Sequence, residues 1–244
     1  MRQLLRRKSN ATIALLILTG SIRPVIALQD ARPVNPGNPS SLEDFNAGDL
    51  TREPNQRATD LVAALQISRG DWVADVGAGA GYYSMLMSGL VGPDGKVFAE
   101  DITTAAMGWL NARIKVFDLH NVEVVKGEPI DPRLPANRLS GALIVDTYHH
   151  FTDHEAMLDK ILHALKPGGR LVIADYSFGE HRKQPRDAQI KLHEIDPELV
   201  RSELTRAGFQ VVRCDDPFVK WKPGVGNTRA SNTDMWLLVG VRPE

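Results

Sequence analysis

The chain has 244 residues, 43% hydrophobic and 24% charged, with a net charge of −1. This composition suits a globular domain with a sizeable core and supplies no global basic field, so no nucleic-acid partner is expected. The single cysteine, Cys214, excludes a disulfide framework, a Cys-rich zinc site and a CxxC redox pair, and reads as a small, partly buried residue near a strand end.

The N-terminal stretch MRQLLRRKSN carries Arg2, Arg6, Arg7 and Lys8, and the apolar run ATIALLILTGSI follows. With Val25-x-Ala27 as a cleavage site, residues 1–27 have the pattern of a secretory signal peptide. The expected location is therefore periplasmic or secreted if the signal is used, and cytoplasmic otherwise. The apolar run is too short for a comfortable membrane span, so none is expected. Residues 28–50, rich in Pro, Asn, Gly, Ser and Asp, read as a disordered linker, which leaves 51–244 as the folded domain. Nothing in the sequence fixes an oligomeric state.

From Glu53 a helical pattern places Ala58, Leu61, Val62 and Leu65 on one face and ends near Gly70. Strands and helices then alternate. WVADVG (72–77) predicts a strand, YYSMLMSGL (82–90) a helix, KVFAED (96–101) a strand and TTAAMGWLNARIKVFD (103–118) a helix. VEVVKG (122–127) and GALIVDTY (141–148) predict strands. Thr152 to Glu155 has capping-box spacing ahead of MLDKILHALK, and Pro167-Gly168-Gly169 ends that helix before the strand RLVIADY (170–176). DPELVRSELTRAG (196–208) predicts a helix, and FQVVRC (209–214) and DMWLLVGV (234–241) predict closing strands. Alternation with apolar strands implies an α/β fold: a doubly wound, mostly parallel sheet covered on both faces. The last two strands lack an intervening helix, so one of them is expected to be antiparallel.

The stretch VADVGAGAGYYS (73–84) lies where the first strand hands over to the first helix of this alternation. Glycines permit a tight turn and close ligand approach, and the helix N-terminus offers free N–H groups. Any nucleotide-like ligand fits that much. The dinucleotide fingerprint is G-x-G-x-x-G/A, whereas Gly77, Gly79 and Gly81 read G-x-G-x-G with Tyr82 next. Asp75 stands two residues before the first glycine; a carboxylate there repels a pyrophosphate and attracts an ammonium group. The ligand should therefore be cationic near the loop. Asp101, with Glu100 beside it, ends the next strand, where an acid can accept both hydroxyls of a ribose or cap the following helix.

These residues resemble the class I S-adenosylmethionine-dependent methyltransferases, and most of all small bacterial methyltransferases that carry a signal sequence. VADVGAGAG is similar to their first motif, KVFAEDI to their ribose-binding strand, and NVEVVKGEPIDPRLP (121–135) to their adenine-contacting segment. LIVDTYHHFTD (143–153) and ALKPGGRLVIADY (164–176) resemble the motifs that follow, so the likeness spans about 53–241. The resemblance implies a Rossmann-like seven-stranded methyltransferase fold, S-adenosylmethionine as cofactor, and transfer of a methyl group to a small-molecule substrate. It implies that Gly77, Ala78, Gly79 and Gly81 pass under the methionine and ribose portion, and that Asp75 reaches the amino group. Glu100 or Asp101 would hold the ribose, Glu128 would sit near the adenine amino group, and Asp146 beside the methionine portion. Ser140-Gly141 stands where family members usually carry Asp before the fourth strand.

Methyl transfer from a sulfonium is an in-line displacement governed by positioning, and a base is needed only if the acceptor must lose a proton. The candidates are Tyr148, His149 and His150, at the end of the fourth strand. A metal held by His149, His150 and His154 would require one of them to leave the capping turn, so no metal is expected. The segments 176–195, with Arg182, Lys183 and Arg186, and 218–232, with Trp221, lie where substrate lids occur. Two other readings stay open: a non-catalytic binding protein that keeps the fold, and a nucleotide-dependent oxidoreductase.

Overall fold

The computed structural model describes residues 45, 49, 52–220 and 234–244. The strands are β1 (Trp72–Val76), β2 (Lys96–Asp101), β3 (Val122–Lys126), β4 (Leu139–Val145), β5 (Leu165–Ser177), β6 (Gln210–Val219) and β7 (Asp234–Val241). The helices are α1 (Ala58–Ala63), α2 (Tyr82–Val91), α3 (Thr104–Phe117), α4 (His154–Ala164), α5 (Arg186–Lys191) and α6 (Pro197–Arg206). The strands form one sheet in the order β3-β2-β1-β4-β5-β7-β6, parallel except for β7, which pairs antiparallel with both β5 and β6. The expected α/β class and the antiparallel closing strand are thus present.

Successive strand residues point to opposite faces, and both faces are covered. Val73, Val97, Leu143 and Val172 pack on one face with Leu61, Val62 and Met87. Ala74, Phe98, Ile144 and Ile173 pack on the other with Leu158, Ile161 and Leu204. Burial on both sides is why these strands read as apolar runs rather than alternating ones. The strand order reverses between β1 and β4, which opens a crevice at their carboxyl ends.

Several boundaries differ from the expectations. The first helical pattern is broken: 52–56 are helical, Arg57 turns left-handed at φ 49°, and α1 restarts at Ala58. The fourth strand ends at Val145, because Asp146 takes φ 55° and turns the chain into a single 3-10 turn, Tyr148–His150. α4 is capped by Asp153, whose carboxylate accepts the Ala156 amide at 3.0 Å, rather than by Thr152. β5 begins at Leu165, so Pro167 and the two glycines lie within the strand's edge rather than between elements. β6 runs on to Val219. Cys214 is half-buried within it. Ser140, in place of the family's Asp, donates its hydroxyl to Asp71.

Residues 1–27 lie outside the described residues, as does most of 28–50. Phe45 and Asp49, inside the stretch expected to be a linker, are helical, and Phe45 is buried edge-to-face against Trp109 and Phe117 of α3. Among the described residues no helix is long and apolar enough to cross a membrane.

Candidate active site

The crevice holds a cavity of about 780 Å³. Its floor is the β1–α2 loop. Gly77 and Gly79 have φ of 73° and 55°, the left-handed region that disfavours side chains. They differ in what surrounds them. A Cβ on Gly77 would stand 2.2 Å from the Thr147 side chain, whereas a Cβ on Gly79 would meet no protein atom within 4 Å. Gly79 is bare toward the cavity, so its missing side chain leaves room for a ligand rather than for the fold. Gly77, Ala78 and Gly79 line the cavity; Gly81 does not, and instead is the N-cap of α2. The loop is braced from behind by buried Arg113, whose guanidinium pairs with Asp49 at 2.9 and 3.0 Å.

Parallel register delivers the acids. β1 and β2 pair Val76 with Glu100, so the end of β2 lies beside the start of the loop. Glu100 is buried; one carboxylate oxygen accepts the Gly77 amide at 3.3 Å, and Oε1 has no hydrogen-bond partner among the described residues. Burial pushes its carboxyl up to about 8. Asp101 accepts the Gly79 amide at 3.0 Å and, with its other oxygen, the Thr103 amide at 2.9 Å. Thr103, not Asp101, is the N-cap of α3; Asp101 ties that cap to the loop while lining the cavity. Asp75 accepts the Ser84 hydroxyl at 2.6 Å, and burial pushes its carboxyl up to about 6. Glu128, just after β3, lines the wall and pairs with Arg133; Asp146 also lines the cavity. A ring of acids with few cations, over a glycine floor, suits a ligand that carries an ammonium group and neutral hydroxyls.

The acceptor end is arranged differently from the expectation. Tyr148 is buried, and its hydroxyl donates to Glu203 at 2.7 Å; burial and the Glu203 carboxylate push its phenol up. It is a core residue. His149 is buried as well, with Nδ1 2.9 Å from Asp175 of β5. Of the three candidates, His150 alone borders the cavity. His154 faces Glu203 at 3.2 Å, away from the other two histidines. Arg182 pairs with Asp216 and Arg186 with Glu203, so these two cations are committed within the protein rather than offered to a substrate. Trp221 lies outside the described residues.

Tyr82 and Tyr83 line the cavity beside Arg52, whose guanidinium stands 5.8 Å from both ring centroids. Arg52 carried no sequence signal: it is one cation in a polar helix start, brought to the mouth by packing. Asp175 did carry one. It is a lone acid in the apolar run RLVIADY, the same signature that singled out Asp75 in WVADVG.

The sheet order, the glycine floor at its switch point and the acid that ends β2 together define a Rossmann-like methyltransferase. Residues 67–212, more than half of the chain, match the family model described as "Methyltransferase domain". The chain belongs to that family. It is 29% identical over 118 residues to a demethylmenaquinone methyltransferase of Listeria welshimeri, covering 48% of this chain and 50% of that protein. It is 32% identical over 139 residues to the ubiquinone/menaquinone biosynthesis C-methyltransferase UbiE of Pseudomonas savastanoi, covering 56% and 52%. The chain thus spans about half the length of these curated relatives. A crystal structure of a SAM-dependent methyltransferase from Aquifex aeolicus superposes with a TM-score of 0.64 at 24% identity, covering 80% of this chain and 95% of that one. Family and fold are those of the S-adenosylmethionine-dependent methyltransferases, as the resemblance implied.

Proposed function

We propose that this chain transfers a methyl group from S-adenosylmethionine to a small, ring-containing acceptor of the quinone-precursor type. One observation carries the cofactor half of this reading: the glycine floor and three acids, Asp75, Glu100 and Asp101, converge on one cavity at the switch point. The residues fit the group. Gly79 leaves unfilled space where a ligand's chain must pass. The unpartnered Oε1 of buried Glu100 is a polar atom open to a hydrogen bond with a ligand hydroxyl. Asp75 is placed for an ammonium, which would draw its carboxyl down from about 6 to the ionised form. The carboxylate of the same ligand has Arg52 at the mouth as its cation. Bound there, the cofactor supplies a methyl group on a sulfonium centre.

The acceptor half rests on the relatives, two of which are quinone methyltransferases by name. The acceptor end offers matching chemistry: Phe151, Met157 and Val145 give it apolar walls, and His150 stands where an acceptor proton must leave. An oxidoreductase reading fails on Asp75, which would face a pyrophosphate.

Thermal unfolding with S-adenosylmethionine, S-adenosylhomocysteine or NAD tests the cofactor. A ligand at about 100 times its Kd adds roughly 2.7 kcal/mol. Stabilisation by the adenosyl sulfur compounds and not by NAD is expected; stabilisation by NAD alone overturns the reading. Transfer of labelled methyl to a demethylated naphthoquinol, against a catechol and an amine as competitors, tests the acceptor.

A further inference from the structure

We propose that His149, His150 and His193 form a binding site for a divalent transition-metal ion of the zinc type, at the acceptor end of the cavity. The three histidines come from two places, the turn after β4 and the turn after α5, and only folding joins them. Their ligand nitrogens all lie within 4.8 Å of one another. Ring centroids are 4.0 Å apart for His149 and His150, 5.5 Å for His149 and His193, and 5.3 Å for His150 and His193. Zinc–nitrogen bonds of about 2.0–2.1 Å place tetrahedral neighbours roughly 3.4 Å apart. His150 and His193 are exposed, and binding an ion requires their rings to turn inward from separations of up to 4.8 Å.

Two further features point to an ion rather than to ring packing. His149 is fully buried, and its Nε2 has no hydrogen-bond partner among the described residues. A buried nitrogen of that kind is costly unless it meets a donor or a cation. Its other nitrogen is fixed by Asp175, which accepts from the His149 and Tyr176 backbone amides at 3.1 and 2.8 Å and is thereby held as an acceptor. A neutral ring held this way carries its proton on Nδ1 and its lone pair on Nε2. This carboxylate–histidine arrangement is the one that orients metal-binding imidazoles. Three imidazole nitrogens suit zinc and its neighbours over magnesium or calcium. The remaining coordination position is left to water or, on the methyltransferase reading, to an oxygen of the acceptor, since His150 borders the cavity.

The test is titration of the metal-free, full-length chain with Co²⁺, read by visible absorption, and with Zn²⁺, read by metal analysis after gel filtration. The wild type should take up one ion per chain with the absorption bands of imidazole-bound cobalt. His193→Ala and His150→Ala should each weaken uptake about tenfold or more. Both residues are exposed, so neither change opens the core. His154→Ala, whose ring faces Glu203, should bind as the wild type does. No stoichiometric uptake by the wild type, or wild-type uptake in either of the first two variants, overturns the proposal. S-adenosylhomocysteine shifts on the same wild-type and His193→Ala samples report separately on the cofactor site. A failed metal titration therefore leaves the methyl-transfer reading standing.

Discussion

The two ends of the cavity were built in different ways. The cofactor end comes from a single strand–loop–helix segment and the tip of the neighbouring strand, joined by parallel register. Its side chains line the cavity, and its loop amides are held by Glu100 and Asp101. The acceptor end comes from the tip of β4, the turn after it and Met157 of α4, and two conspicuous side chains of that turn are spent on partners in other elements. Tyr148 is held by Glu203, and His149 by Asp175. At the cofactor end Asp75 and Asp101 also have protein partners, but those partners leave them lining the cavity.

Two glycines give the sharpest contrast within the cofactor end. Gly77→Val should cost about 2–5 kcal/mol of stability in urea unfolding, because the new side chain overlaps Thr147 at a left-handed backbone position. A Cβ on Gly79 meets no protein atom, so Gly79→Val should lose only the roughly 1–2 kcal/mol of its left-handed backbone while losing more than about a hundredfold in S-adenosylhomocysteine affinity by calorimetry. Equal stability losses in the two variants would break the distinction between a fold-filling and a ligand-clearing glycine.

Asp101→Ala removes a carboxylate that anchors the Gly79 amide and lines the cavity. At about 1.5–3 kcal/mol for a charged hydrogen bond, affinity should fall roughly 10- to 100-fold. Unchanged affinity would move the ribose contact to Glu100.

Stability should depend on pH through the buried acids. Glu100 is pushed from 4.5 up to about 8, and Asp75 from 3.8 up to about 6. Between its unfolded and folded values each group binds a proton in the native state that the unfolded chain has lost, so stability falls as pH rises. The contribution is complete below the unfolded value and gone above the folded one. The ligand-free Tm should therefore decline from about pH 4.5 to 8, and Glu100→Gln should flatten the upper part of that decline. A Tm that rises across this window in the wild type would show that Glu100 is ionised in the fold.

The smallest effect sharpens the acceptor end. Tyr148→Phe should cost about 1–2 kcal/mol, because it deletes the hydroxyl bonded to Glu203, while kcat holds at the wild-type value. A large drop in kcat with unchanged stability would return Tyr148 to the reacting groups.

By itself the sequence determined the strand–helix alternation, the glycine floor and the acids at the ends of β1 and β2, because each depends on residues adjacent along the chain. Burial on both sheet faces made the strands legible as apolar runs, and a lone acid in such a run marked Asp75. The signature was equally present at Asp175, but its meaning was not, since its partner His149 lies in another segment. Only the tertiary structure decided which polar groups point inward. It turned Tyr148 into the core, paired Arg182 and Arg186 internally, brought Arg52 to the cavity mouth and set His193, rather than His154, beside the other histidines. Those outcomes depend on which buried partner lies opposite once the sheet has closed, and no local spacing along the chain encodes that.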